Sequence, residues 1–308
     1  MTLDNNKGNS PSLVGGFLAA IFVVAVWGET FVSSKVLLSY GLTPIGIFTI
    51  RFFLAYTLIW IVSPKKIRSR SIRDEVCLAL LGISGGTLYF VAENNALIYS
   101  TASSVAILVS TAPLLTALLI SIVHKDEKPT GVQVGASFLS FVGVALVVLN
   151  GKFILHINPL GDSLALASAL LWAIYSLIYR EIEDKYDVWF ITRKIFFWGL
   201  VSIIPYFIFN QHPVDPSIFR EPAVWGNLLY LGIVASLLCF AMWNFSLRVL
   251  GTVRTTNLIY AQPFFTMLFA FIILGEKVSW MALAGAVLIV GGMIIYERAE
   301  RRKSSRQA

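Results

Sequence analysis

Charge is what this chain has least of. Only 13% of its 308 residues are Asp, Glu, Lys or Arg, while 57% are hydrophobic. A water-soluble domain carries about 25% charged residues, so a globule of this composition lacks the polar surface to cover itself. A compact soluble domain is excluded, and lipid is the natural solvent for most of the chain. Cysteine is nearly absent. Cys77 and Cys239 each fall within an apolar run, near what reads as its cytoplasmic end, and no disulfide framework or zinc spacing can be drawn from them. Histidine is limited to His124, His156 and His212, far apart and in or beside loops. No glycine-rich phosphate loop, no paired acids within one span and no nucleophile with its base can be found. Neither an enzyme, a metal site nor a cofactor is expected, and nothing in the chain suggests ATP as an energy source.

What the chain has in quantity is long apolar sequence, with a mean hydropathy of +0.76. Runs fall at 13–38, 44–62, 75–97, 102–123, 131–150, 162–180, 188–209, 223–247, 254–274 and 279–296. Crossing a hydrocarbon core of about 30 Å takes about 20 apolar residues in a helix. An outer-membrane barrel would instead show alternating segments of about ten residues, and none alternate that way. The expectation is an all-α bundle of about ten transmembrane helices. The polar start of the chain has one lysine and no small-residue cleavage site after the first apolar run, so Leu13 onward reads as a retained span rather than a signal peptide.

The net charge of +7 sits in short clusters between the runs, which is a loop pattern and argues against nucleic acid. Lys65, Lys66, Arg68, Arg70 and Arg73 follow the second run, and Arg298, Arg301, Arg302, Lys303 and Arg306 follow the last. Lys125, Lys128, Arg248 and Arg254 fall on the same side, whereas the opposite loops hold only Lys152, Arg220 and Lys277. The positive-inside bias therefore places both termini in the cytoplasm.

The chain also repeats itself. At an offset of 150, Leu81-Gly82-Ile83 falls on Leu231-Gly232-Ile233, Asn94 on Asn244, Pro113 on Pro263, Thr116 on Thr266 and Gly135-Ala136 on Gly285-Ala286. At an offset of 145, Gly16 falls on Gly161, Trp27 on Trp172 and Lys35 on Arg180. A repeat of five helices is odd, so its second copy enters the membrane from the other side and the two halves are inverted. The expected units are residues 13–150 and 160–297, with polar cytoplasmic tails at 1–12 and 298–308. Inverted repeats let one midplane site open to either side in turn; duplication for structural reasons alone is the other explanation.

Val249-Leu250-Gly251-Thr252-Val253-Arg254, then Gln262-Pro263, Gly275-Glu276 and a glycine-rich last span resemble the EamA domain of the drug/metabolite transporter superfamily. In the first half, Ala96 to Ser103, Pro113, a charged turn and Gly135 follow the same outline, and Trp27-Gly28 also looks like that family. The resemblance covers roughly 13–297. It implies ten helices in two inverted repeats and, for many bacterial members, export of amino acids or other metabolites. Two features depart from it. Lys125-Asp126-Glu127 stands where the first half of the family usually has Gly-Glu, and Glu29 follows Trp27-Gly28.

An ionisable group inside a span costs about 2.5–3.5 kcal/mol on insertion scales, which singles out Glu29, Arg51 and Glu93 as candidates for substrate binding. Glu29 and Arg51 count to a similar depth, as a clamp for a zwitterion's ammonium and carboxylate or as a packing ion pair. Asn94 joins Glu93 in the outer half, and its repeat mate Asn244 lies beside Trp243 near the cytoplasmic end of the eighth run, as gates or as helix cross-links. Trp27, Trp172 and Tyr175, with Tyr89 and Tyr260 elsewhere, offer flat walls to an amphipathic substrate, or anchor helices at the interface. Pro113 and Pro263 read as midplane bends, hinges or static, with Gln262 adding a donor and an acceptor. Arg193 and Lys194 read as snorkelling side chains. Gly131-x-x-x-Gly135 and Ala282-x-x-x-Ala286 permit close contact of halves or of two subunits, so monomer and homodimer both stay open.

The expectation is a multi-pass secondary transporter of the bacterial cytoplasmic membrane, moving a small molecule by alternating access. Export of an amino acid or related metabolite is what the resemblance adds. Proton coupling through Glu29 or Glu93 is a further expectation. A passive channel, a ligand-binding sensor, a drug or cation carrier and a sugar-phosphate or nucleotide-sugar carrier are the alternatives. The last would want more cations in the bundle than Arg51.

Overall fold

A computed structural model describes residues 13–64, 68–100, 102–124, 128–149, 158–209, 216–265, 268 and 279–307. Among them, nine helices are long and apolar enough to cross a membrane: α1 (Leu13–Ser39), α2 (Pro44–Val62), α3 (Ile72–Tyr99), α4 (Ser104–Val123), α5 (Gly131–Leu149), α6 (Pro159–Arg180), α7 (Val188–Phe209), α8 (Pro222–Leu250) and α10 (Trp280–Gln307). Between the last two, α9 starts at Thr252–Asn257, tightens into a 3-10 turn at Leu258–Ala261 and is helical again over 262–265. The rest of the expected 254–274 run, apart from residue 268, lies outside the described residues, as do Thr266, the turns at 125–127 and 275–277, Lys65, Lys66, Lys152, His156 and His212.

The helices begin where local chemistry supplies partners for their first N–H groups. Thr43 caps α2 by accepting from Gly46 N, and Pro44 fills the first helical position, where no N–H is needed. Ser71 caps α3 in the same way, and Asn158 caps α6 ahead of Pro159 with Asp162 in the first turn. Along the spans the apolar residues run all the way round. Leu18, Phe53, Ile61, Phe138 and Val287 point outward, as a helix in lipid requires.

Packing follows an exchange between the halves. α1 lies along α8 and α6 along α3, while α2 packs on the middle of α8 and α7 on α3. The most extensive pair is α5 with α10. There the expected small-residue motif is packed on one helix and faces outward on the other. Ala282 and Ala286 are buried, but Gly131 and Gly135 face open space, and the α5 contact is made one to two turns later. A Cβ built on Gly143 would lie 2.6 Å from the Gly285 carbonyl oxygen, and one on Gly285 would lie 2.6 Å from the Gly143 carbonyl, so only glycine lets these backbones touch.

Irregular turns recur at related places. α3 widens into π-helical geometry at Ile83–Leu88 and α8 does so at Tyr230–Leu238. α4 is interrupted between Val109 and Ala112, and Pro113 occupies the first turn of the helix that restarts there. The proline thus sits where its missing N–H removes no bond. The expected mid-helix bend is a break and restart instead, and on α9 the 3-10 turn precedes Pro263 at the related place.

Candidate functional site

At the centre, α1, α2, α3, α4, α6, α8 and α9 surround a small cavity. Helical spacing brings its wall together. α1 contributes Trp27 and Thr30, α3 contributes Tyr89 and Glu93, and α9 contributes Ile259 and Gln262, each pair three or four residues apart and so on one face. α4 adds Val109 and Ala112 on either side of its break. Trp172 and Trp27 meet edge to face at 5.2 Å between ring centroids, and Tyr89 meets Trp172 at 5.1 Å. Phe90 and Phe240 complete the aromatic wall.

Trp27 is held from three directions. Its indole N–H donates to Ala235 O at 3.0 Å, inside the widened turn of α8, and its own carbonyl accepts from Gln262 Nε2 at 3.0 Å and Thr30 Oγ1 at 2.8 Å. The wider turn of α3 serves the same packing. A Cβ on Gly85 would stand 2.2 Å from the ring of Tyr175, so the bare backbone there is what admits that ring.

The charge in this wall is of both signs. Arg51 is 1% exposed; its Nε donates to Ser236 Oγ at 2.9 Å and its guanidinium lies 4.2 Å from the Phe90 centroid. Among the described residues its Nη1 has no hydrogen-bond partner. Glu93 is 4% exposed and accepts from the Tyr89 hydroxyl at 2.7 Å. Arg51 and Glu93 are near enough for their charges to interact, but no ion pair within 4.0 Å joins them. The cavity therefore presents a guanidinium held from behind by Ser236 and a carboxyl group held by Tyr89 within the wall, with Nη1 of Arg51 left without a partner among the described residues.

Of the residues singled out from sequence, Trp27, Arg51, Tyr89, Glu93, Trp172 and Gln262 line this cavity. Glu29 does not. It is half-buried on α1, near Tyr230, and forms no ion pair with Arg51. Trp243 lies behind the wall, packed on Trp27 at 5.1 Å. Asn94 is buried and donates to Pro44 O at 3.3 Å, tying α3 to the start of α2. Asn244 is the centre of a cross-link instead. It accepts from the Tyr175 hydroxyl, donates to Thr192 Oγ1 at 3.0 Å and gives its carbonyl to Tyr179 at 2.9 Å, joining α6, α7 and α8. Pro113 and Pro263 are next in sequence to the lining residues Ala112 and Gln262.

Sequence reasoning missed Thr30, Phe90, Val109, Phe240 and Ile259 in the wall, and Ser236 behind Arg51. Ordinary apolar residues in an apolar chain carry no signal of facing a cavity. The i, i+4 pairing of Tyr89 with Glu93 was available.

The two cations at the start of α7 also behave differently from the snorkelling expected. Arg193 is 2% and Lys194 8% exposed. Lys194 pairs with Glu75 at 2.7 Å, and the same carboxylate accepts from the Trp198 indole at 2.7 Å. Arg193 donates to Ser63 O and covers Trp60 at 4.4 Å. Protein partners, rather than solvent, hold both charges. Cys239, expected near a helix end, is buried in mid-α8. In the connection after α6, burial and the neighbouring Asp184 carboxylate push Glu183 up to about 7, against the pull of Arg180 and Arg248.

The model of the EamA-like transporter family matches residues 14–149 and again 159–297. A transporter of Archaeoglobus fulgidus is 28% identical over 90% of this chain and 96% of its own length. A probable amino-acid metabolite efflux pump of Salmonella typhimurium is 29% identical over 91% and 93%, and a probable terminal-alkyne amino-acid exporter of Streptantibioticus cattleyicolor is 24% identical over 93% and 96%. A protein of known crystal structure superposes with a TM-score of 0.74 over 94% of this chain and 99% of its own, at 18% identity, which is a likeness of fold.

Proposed function

The chain belongs to the EamA-like transporter family, and on that premise we propose that it exports amino acids or closely related zwitterionic metabolites by alternating access. It is a multi-pass membrane transporter and not an enzyme. The observation that carries the substrate class is the presence of Arg51 and Glu93 together in the lining of one aromatic-walled cavity. A carboxylate is suited to the unpartnered Nη1 of Arg51, and an ammonium to Glu93 with the aromatic faces beside it. A carrier of phosphorylated sugars would need more than one guanidinium here.

The exchange of packing partners between halves, the widened turns at Ile83–Leu88 and Tyr230–Leu238 and the double family match support two inverted repeats, residues 13–150 and 160–297. In this reading the two repeats rock about the central cavity. The lopsided Lys and Arg loops support cytoplasmic termini. Substrate-binding roles go to Trp27, Arg51, Glu93, Trp172 and Gln262, with Pro113 and Pro263 beside the moving joints. Proton exchange is assigned to Glu93 in preference to Glu29, because Glu93 faces the cavity.

The test is counterflow of a radiolabelled amino-acid panel into proteoliposomes preloaded with the same amino acids. Saturable counterflow that Glu93→Gln abolishes supports a carrier with this site. Folded protein that exchanges no amino acid would overturn the substrate class, and flux without saturation would favour a channel.

A further inference from the structure

The central cavity and a second, polar recess lie on the same three helices, and we propose that the neck between them is the route by which substrate reaches one membrane face. This rests on the transporter reading but on no choice of substrate.

The recess gathers Arg180, Glu183, Thr252 and Arg254 around the end of α6 and the α8–α9 turn. Thr252 is 5% exposed, and its Oγ1 has no hydrogen-bond partner among the described residues. One Glu183 carboxylate oxygen is in the same position. On α4, Ala112 lines the cavity and Ile120 the recess; on α6, Trp172 and Arg180 do so; on α9, Ile259 and Thr252. Each separation is seven or eight residues, close to two turns, so each helix shows both spaces the same face over about 12 Å. The three helices pack on one another.

Halfway along stand Thr116, Ser176 and Thr256, each 0% exposed. Each hydroxyl bonds a carbonyl of its own helix: Thr116 to Ala112 O at 2.8 Å, Ser176 to Trp172 O at 2.9 Å and Thr256 to Thr252 O at 2.9 Å. No hydrogen bond among the described residues runs from one of these hydroxyls to another of the three helices. Parting the three helices at this level therefore breaks none of these bonds. Each oxygen then keeps an acceptor site for water or a polar solute.

Two of the three related positions at the other end are apolar, while Thr116 falls on Thr266, which also bears a hydroxyl and lies outside the described residues. At an offset of 145, Ser176 corresponds to Phe31, and at 150, Thr256 corresponds to Ala106. Phe31 packs with Val105 and Val109 in an apolar cluster. A hydroxyl-bearing layer therefore leads one way from the cavity, and Phe31 with its apolar neighbours stands at the related level on the other side.

The test is thiol labelling of full-length protein in oriented vesicles, in a Cys77→Ser, Cys239→Ala background, with the anionic, membrane-impermeant reagent 2-sulfonatoethyl methanethiosulfonate. Glu183→Cys marks the recess side, and Ala20→Cys, 0% exposed on α1, is the buried control. Ser176→Cys and Thr256→Cys should react from the Glu183 side at least about tenfold faster than Ala20→Cys, through a minor open state of about 0.1–10%. The bound sulfonate should then block transport. Because it attaches to folded protein, loss of folding does not imitate the block. Neck cysteines no faster than Ala20→Cys, while Glu183→Cys reacts, would overturn the route, as would equal reaction from both sides. Labelled neck cysteines in a protein that carries no amino acid would support the route and overturn the amino-acid reading.

Discussion

Arg51→Gln separates recognition from structure. Arg51 contributes the only guanidinium among the cavity's lining residues, and its Nη1 is the group assigned to a substrate carboxylate. A hydrogen bond to a charged group contributes about 1.5–3 kcal/mol, so its loss should weaken an amino acid about 10- to 140-fold at about 1.4 kcal/mol per tenfold. The same amino acid as its carboxamide lacks the charge that Arg51 recognises and should lose little. Counterflow of acid and amide by wild type and variant forms a double-mutant cycle, in which general damage cancels. The variant also leaves the buried Glu93 without the nearby guanidinium whose charge it feels, which makes its ionised form more costly. Arg51→Gln/Glu93→Gln should therefore melt higher than Arg51→Gln alone. Equal loss for acid and amide would refute the carboxylate assignment and make Arg51 a packing residue that holds Ser236 and Phe90.

Gly285→Leu should destabilise by about 1–3 kcal/mol or more through overpacking, because its Cβ would meet the Gly143 carbonyl, whereas Gly131→Leu, in open space, should leave the melting temperature in detergent unchanged. Glu75→Gln should cost about 3–5 kcal/mol by leaving Lys194 buried without its carboxylate; a melting temperature within error of wild type would show that the pair is idle. Asn244→Ala should cost about 1–3 kcal/mol, since it strands Tyr175 and Thr192, and Asn244→Gln should not rescue it if geometry decides. Glu183 is raised from 4.5 to about 7, so the fold holds its proton more tightly than the unfolded chain does. Its contribution favours folding below about 4.5 and is lost as pH rises through about 7. Glu183→Gln should accordingly flatten the pH dependence of the melting temperature across that window, and an unchanged profile would contradict the burial assigned to this carboxyl.

The spans were legible because lipid leaves few choices. A backbone without water must bond within itself, and about 20 apolar residues announce each crossing. The starts of α1, α2, α3, α6, α7, α8 and α10 fall within three residues of the apolar runs, at positions such as Pro44, Pro159 and Pro222 where caps and prolines punctuate the chain. The break near Pro113 was legible as an irregularity but not as a restart, since proline marks both a kink and a first turn. The widened turns of α3 and α8 left no mark, because glycine and serine in an apolar run have many uses.

Sequence by itself therefore determined the solvent, the helices, the internal repeat and the short list of buried charges, each of which is a property of composition and spacing. Tertiary structure alone decided which charge meets which. Arg51 faces Glu93 and not Glu29, Lys194 finds Glu75, and Asn244 binds across three helices. Depth along a helix can be counted from sequence, but rotation about its axis and the choice of neighbour depend on how all the helices pack at once, and a site inside a bundle is made of those two quantities.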